Sequence, residues 1–360
     1  MLTHPLSITA LVALLFTLLM AIFPVETLQS SLRGLSIWWD VLFPSLFPFF
    51  IISEIMLGIG VVHFVGKLLD PIMKPLFRVP GIGGFVFAMG YISGYPVGAR
   101  LTSQLREQGL VSRVEGERLV AFTTTSDPIF LIGAVSVGFY KNVAVAPILA
   151  IAHYGGGILI GLCMRFYGNR VVAHSSNDKE VETNNKNRLS SAFEAMHAAR
   201  LKDGRTIGKL LQDAIESSLK LMFVVGGLVV FFSVLMELLT QTGLMQVAAQ
   251  SLRHLFTLVG MPPSLADAIL HGLFEVTLGA RSAAEAHTYD TSGSSIHLML
   301  VHQVAIGAFI LSWAGLSVHA QIASLLSKTD MRYAPLLFAR LIHGIISALL
   351  VYLLWNWLGV

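Results

Sequence analysis

Gly90–Leu105, GYISGYPVGARLTSQL, and Gly272–Ala286, GLFEVTLGARSAAEA, each carry the tripeptide Gly-Ala-Arg just after a polar break in a strongly apolar stretch. An arginine at such a depth costs several kcal/mol even on the lenient insertion scales. The two copies lie about 180 residues apart. Paired interruptions at corresponding places in two halves point to the substrate site of a secondary transporter.

Composition sets the same frame. Hydrophobic residues make up 54% of the 360 residues and charged ones only 12%. Several apolar runs reach the roughly 20 residues that span a bilayer. The chain is therefore read as a polytopic, all-α membrane protein. One cysteine, Cys163, excludes an internal disulfide and reads as a small packing residue. The net charge of +3 belongs to loops that record orientation, so no nucleic-acid partner is expected. The lipid bilayer is one partner, a small anionic solute the other, and an oligomer is compatible with both.

From the first tip outward, Gly81 to Ile92 is about 18 Å of helix, half a membrane, and suits a re-entrant arm. The chain breaks at Ser93-Gly94-Tyr95-Pro96 and resumes as a helix. Leu119 to Tyr140 is apolar but interrupted at Thr123-Thr124-Thr125-Ser126-Asp127-Pro128, where Pro128 removes a donor and disfavours helix at Asp127. Freed backbone groups at that depth need protein or a water-filled cavity. In the second half, Ala266 to Phe274 matches the first arm, Glu275 to Leu278 the tip, and Ser312-Trp313-Ala314-Gly315-Leu316-Ser317 the broken helix. Each half thus holds a re-entrant hairpin and a broken helix. Residues 1–29 add an N-terminal membrane helix, 30–166 form the first repeat, and 167–215 form a cytoplasmic polar linker with an amphipathic helix near Gly208 to Ser218. The second repeat is 216–360. A short amphipathic connection carries Lys67, Lys74 and Arg78.

Placing the linker in the cytoplasm and alternating sides puts Lys67, Lys74, Arg78, Arg106, Arg113, Arg118, Lys328 and Arg332 inside. Only Arg33, Lys141 and Arg253 then fall outside. After Arg100 three arginines precede the broken helix; after Arg281 there is no Lys or Arg until Lys328. Opposite bias in equivalent segments is what an inverted repeat requires. The amino terminus is then inside and the carboxyl terminus outside.

Arg100 and Arg281 fall in the first turn of a returning half-helix, where the dipole favours an anion over a cation. Two guanidinium forks there suit a dicarboxylate. The alternative is that each arginine locks the repeats through an acid, Arg100 with Glu275 or Arg281 with Asp127. Ser93, Gly94, Tyr95 and Gly98 at the first tip, and Glu275, Thr277 and Gly279 at the second, complete the candidate substrate site. So do Thr125 and Ser126 at the first break and Ser312 and Ser317 at the second, although such hydroxyls also bond within bundles. Asp127, Glu275 and Glu54 are the candidates for carrying a coupling ion, H⁺ or Na⁺. For Asp127 and Glu275 the alternative is an arginine partner or a helix cap; for Glu54 it is a buried, hydrogen-bonded carboxylate. His153, His271, His302, His319 and His343 lack metal-ligand spacing, and no cofactor is expected; His319 lies beside the second break. No His-Glu-x-x-His, Gly-Lys-Ser or intramembrane protease motif occurs, so an enzyme is not expected.

The paired ISGYPVGAR and FEVTLGAR tips, with the TTTSDP and LSWAGLSVHAQ breaks, resemble the nucleoside-recognition Gate domains. More closely, they are similar to sporulation integral membrane proteins with two such domains. The resemblance spans nearly all of 30 to 357. It implies a fold related to concentrative nucleoside transporters and movement of dipicolinate from the mother cell across the outer forespore membrane. The first tip lacks the carboxylate that nucleoside carriers have there, which argues against nucleosides as substrate. Two other readings stay open: a transporter of a nucleoside-like solute, and a non-transporting scaffold or gating subunit.

Overall fold

The computed structural model describes residues 5–168, 188–289, 295–296 and 300–358. Apart from a two-residue antiparallel ladder, Thr288–Tyr289 with Ser295–Ile296, the regular structure among them is helical. Four helices are long and apolar enough to cross a membrane, and up to six if each bent pair counts as one span.

The first bent pair is α1 (Pro5–Ile22) with α2 (Pro24–Ser36), turned by 103°. Pro24 at the start of α2 has no N–H to continue α1 and a φ already suited to a new helix. A π-wound turn, Ile37–Leu42, leads into α3 (Phe43–Ile59), and Gly60 at φ +89° swings the chain 82° into α4 (Val61–Phe77). The short connection expected here is thus a 17-residue helix. It buries Val62, Gly66, Met73 and Phe77 and leaves Lys74 outward.

Both hairpins form. The first joins α5 (Gly83–Ser93) to α6 (Tyr95–Glu107) through Gly94, at φ +88° and ψ 179°. That conformation is essentially closed to any residue with a Cβ. The second joins α13 (Ala266–Phe274) to α14 (Val276–Ala284) through Glu275 in extended conformation. The two broken helices form as well. In the first half, α7 (Arg113–Thr123), started by a Ser112/Glu115 capping box, gives way to extended chain before the π-wound α8 (Ile129–Phe139). In the second, α15 (Leu300–Trp313) and α16 (Gly315–Leu326) meet at Ala314, which is buried at φ +76°. A left-handed alanine costs on the order of 1 kcal/mol and persists only where packing enforces it.

After α8 come α9 (Ala146–Met164), which ends the first half, α10 (Arg188–Asp203), the 35-residue α11 (Ile207–Gln241) and α12 (Leu244–Leu258). The amphipathic segment expected at 208–218 is the first part of α11, continuous with the span after it. The expected solvated linker is only partly one, since α10 packs on α4 and α3; residues 169–187 of it lie outside the described residues. The last span, α17 (Ala334–Leu358), packs against α15 and α9. Trp38 joins α2 to α11, its indole N–H donating to Met222 O at 2.9 Å while Gly226 lies against the ring. Cys163 is exposed on the outer face of α9, because the helix turns its glycines, not its thiol, toward the bundle.

Arg106 makes a two-pronged bond to Asp330 (2.8 and 3.0 Å), and Glu117 binds Arg332 and the Tyr167 hydroxyl. These contacts gather several of the basic residues assigned to the cytoplasm at one end. Arg33 pairs with Glu237 near the carboxyl end of α11 (2.6 Å), far along the helix from the Arg205–Asp213 pair at its start (3.1 Å).

Candidate functional site

The tips and breaks meet at one small cavity of about 50 Å³. Gly94, Tyr95 and Pro96 come from the first tip, Asp127 and Phe130 from the first break, Glu275 and Thr277 from the second tip, and Ser317 and Gln321 from the second broken helix. The space holds a few waters at most, so the site is closed.

Close backbone approach creates this convergence. A Cβ on Gly94 would lie 3.2 Å from Asp127 Oδ2, and one on Gly315 would lie 3.0 Å from Glu275 N. Each hairpin tip therefore abuts its own half's break, with acid and glycine exchanged between the two: tip Gly94 on break Asp127, tip Glu275 on break Gly315. Among the described residues neither acid has an arginine partner. Asp127 Oδ1 accepts from Phe130 N and Glu275 Oε2 from Leu278 N, both at 2.8 Å, so each caps a returning helix.

The candidate hydroxyls divide. Thr125 donates to Gly90 O at 3.3 Å. Ser126 N donates to His153 Nε2 at 3.0 Å, leaving the ring's proton on Nδ1, which faces Ser312 Oγ at 2.8 Å. Ser312 passes its own proton to Ser347 (2.8 Å), which donates to Ala152 O. The hydroxyls of Thr125 and Ser312 are thus consumed in binding helices together, whereas Ser126 does so through its backbone N–H. Ser317, by contrast, lines the cavity with a buried hydroxyl that has no partner, and Ser93 is buried and unpartnered beside the tip. Thr277 lines the cavity and Tyr95 donates its hydroxyl to Leu311 O at 2.6 Å, bridging the halves. Gly98 and Gly279 are packing positions. A Cβ on Gly98 would fall 2.3 Å from Thr123 O, and one on Gly279 2.2 Å from Gly272 Cα.

The two arginines are not brought together. Each is the sixth residue of its helix, not in the first turn. Arg100 is buried and pairs with Glu54 at 2.5 Å, with Ser217 also bonded to it. Glu54 is therefore an ion-pair partner rather than a lone carboxylate; Gln104 donates to it at 3.2 Å. Arg281 sits in the last turn of α14, where the dipole favours a cation. It is exposed, lies 5.0 Å over the Phe139 ring, and has no ion pair among the described residues. The Arg100–Glu275 and Arg281–Asp127 locks do not form, and the arginines line different cavities.

What the sequence reading passed over is Arg340, in the middle of α17. It is wholly buried. Its Nη1 donates to Thr124 O at the first break and lies 3.4 Å from His343 Nδ1, and its guanidinium stands 5.3 Å over the Tyr95 ring. Nε and Nη2 have no hydrogen-bond partner. His343 Nε2 in turn donates to His153 O at 2.8 Å, with the two imidazoles stacked. The signal was available: an arginine within an apolar span is a functional candidate by default. His319 also gains a role, bonding the Tyr333 hydroxyl and Trp313 O at the second break.

The nucleoside-recognition (Gate) family model matches residues 40–168 and 222–329. The sporulation integral membrane protein YlbJ of Bacillus subtilis (strain 168) is 44% identical over 333 residues, covering 92% of this chain and 78% of that one. No solved structure matches. The matched segments hold both hairpins and both broken helices, and on these grounds the chain belongs to the nucleoside-recognition Gate family of integral membrane proteins.

Proposed function

We propose that the chain is a secondary transporter whose substrate passes through the cavity between the two tips and two breaks. The observation that carries this is their convergence on one closed space at the junction of the halves, the arrangement alternating access uses. The matched order of hairpin and broken helix, with opposite charge bias after the two tips, supports an inverted repeat. The amino terminus is then cytoplasmic and the carboxyl terminus outside. Cysteines introduced near Arg188 and near Gly293, the latter outside the described residues, are expected to label from opposite faces of sealed vesicles; labelling from one face would require a parallel repeat.

The proposed substrate is a small planar dicarboxylate, dipicolinate, carried from the mother-cell cytoplasm across the outer forespore membrane. The sporulation relative supports the setting. Electrostatics adds a condition. Asp127 and Glu275 line the cavity and no lysine or arginine does, so a dianion enters only if these carboxylates are neutralised by H⁺ or a cation. Transport of an anion by this site is therefore ion-coupled. The same two acids favour a second reading, a neutral nucleoside-like solute. Uptake of radiolabelled dipicolinate and of a nucleoside into reconstituted vesicles decides between them. Dipicolinate accumulation that collapses when the proton and sodium gradients are both removed is expected. Nucleoside uptake alone would establish the second reading, and uptake of neither would leave a scaffold.

A further inference from the structure

Arg100 does not face the closed cavity, and its surroundings are those of another site. It lines a separate cavity of about 250 Å³ with Ser103, Gln104, Glu107, Ser217, Lys220, Ser324 and Lys328. Arg100 is 7% exposed; its Nη2 donates to Glu54 and Ser217, while its buried Nη1 has no hydrogen-bond partner among the described residues. A buried guanidinium nitrogen without an acceptor is costly and calls for one. Lys220 and Lys328 stand exposed at the mouth, and neither has an ion pair among the described residues. Glu107 is the other carboxylate lining the space, and it accepts from Ser103 at 3.0 Å. With Arg100 balanced by Glu54, the cavity keeps a net positive charge.

Glu54 and Gln104 also line a neighbouring polar cavity of about 430 Å³ with Lys202, Asp203 and Arg205, the last of these paired to Asp203 at 2.7 Å and to Asp213 at 3.1 Å. The Arg100–Glu54 pair is the partition between the two. Gln104, which donates to Glu54, keeps its own Oε1 unpartnered. Glu54 therefore faces Arg100 on one side and the cavity that holds Lys202 on the other, and a carboxylate that displaces it takes its place on the Arg100 guanidinium.

We propose that the cavity framed by Arg100, Lys220 and Lys328 is a second anion site, which receives a small dicarboxylate while Glu54 holds Arg100 in its absence. The volume lies just under the roughly 300 to 1,000 Å³ of most small-ligand sites, which restricts the ligand to a single ring or less. Two lysines and one guanidinium fork match two carboxylates better than one, and release of Glu54 toward Lys202 raises the charge available to the second. Lys220 lies well inside α11 and Lys328 just beyond α16, so the site sits beside the first hairpin rather than between the tips. It deepens the transport reading as a vestibule from which the dicarboxylate proceeds to the closed cavity.

The test is equilibrium binding of dipicolinate and of picolinate, its monocarboxylate analogue, to the full chain in phosphatidylcholine nanodiscs, with vesicle uptake measured in parallel. Dipicolinate is expected to bind more tightly than picolinate. The double variant Lys220→Gln/Lys328→Gln should weaken dipicolinate binding about tenfold or more, and Glu54→Gln should strengthen it severalfold by freeing Arg100. Affinity unchanged in the lysine variant, weakened in Glu54→Gln, or absent in the unaltered chain would overturn the site. So would displacement of dipicolinate by phosphatidylglycerol added to the nanodiscs, which would assign the cavity to a lipid headgroup. Binding that follows these expectations without any uptake would refute transport and leave the site standing; uptake with unaffected binding in the lysine variant would do the reverse.

Discussion

Gly279→Ala is expected to lower the stability of the protein by about 3 kcal/mol or more, at the upper end of the range for overpacking. The added Cβ would fall 2.2 Å from Gly272 Cα and 2.5 Å from Gly272 N. Both are backbone atoms of the opposite arm of the hairpin and have no rotamer to move into. The arms must separate, and Ile310, packed against both glycines, must shift with them. Gly98→Ala should behave alike, because its Cβ would lie 2.3 Å from Thr123 O, which Gly90 also abuts. Gly227→Ala is the control: nothing lies within 4 Å of its Cβ on α11, and alanine favours helix by up to about 1 kcal/mol. Thermal unfolding of the purified protein in one detergent separates them. Melting of the Gly279 and Gly98 variants at the Gly227 temperature would show that the hairpin arms are not in this close contact.

Arg340→Met is expected to leave the protein folded and to reduce transport by about a hundredfold. Methionine keeps most of the volume and removes a buried cation that has no carboxylate within ion-pair distance among the described residues. A buried charge of that kind is a liability for stability, and its replacement by an apolar side chain of similar size is often neutral or stabilising. Transport should respond oppositely. Arg340 holds the Thr124 carbonyl that ends α7 and the Tyr95 ring that walls the cavity. It is also a buried cation over the Tyr95 ring, beside a cavity lined by Asp127 and Glu275. Loss of a charge-assisted hydrogen bond together with that charge is worth roughly 3 kcal/mol. Arg340→Lys should recover only part, since an ammonium cannot bond Thr124 and stack over Tyr95 at once. Near-normal uptake by Arg340→Met at matched protein amounts would reduce Arg340 to a packing residue.

The hairpins and breaks were legible because each has a local cause. Gly94 adopts a backbone closed to other residues, Pro128 removes a donor, and nine- to thirteen-residue arms are too short to cross a bilayer, whereas the 103° bend at Pro24 falls in a stretch read as one membrane helix. Asp127 and Glu275 were legible as acids at breaks, and between an arginine partner and a helix cap it is the cap that forms. The charge excess of one end was legible because loops carry it. Less visible were features without a local cause. The left-handed Ala314 follows from packing and not from its own preference. Helix α10 is polar enough to read as solvated and still packs on α4.

Partners across the bundle were beyond the sequence altogether. Equivalent positions in a repeat suggested that Arg100 and Arg281 would act together. Equivalence in sequence fixes where a residue sits in its own hairpin, but its partner is whichever side chain the other helices bring near. Arg100 meets Glu54 from α3, Arg281 lies over the Phe139 ring, and Arg340 of the last helix reaches the first break. Alone, then, the sequence determined the elements, their breaks and the membrane setting, because those depend on steric limits and hydropathy within a few turns of chain. Tertiary structure decided which buried charges are paired, which hydroxyls are spent, and which acids face the closed space. In a low-dielectric interior an unpartnered polar group is penalised until some distant residue answers it.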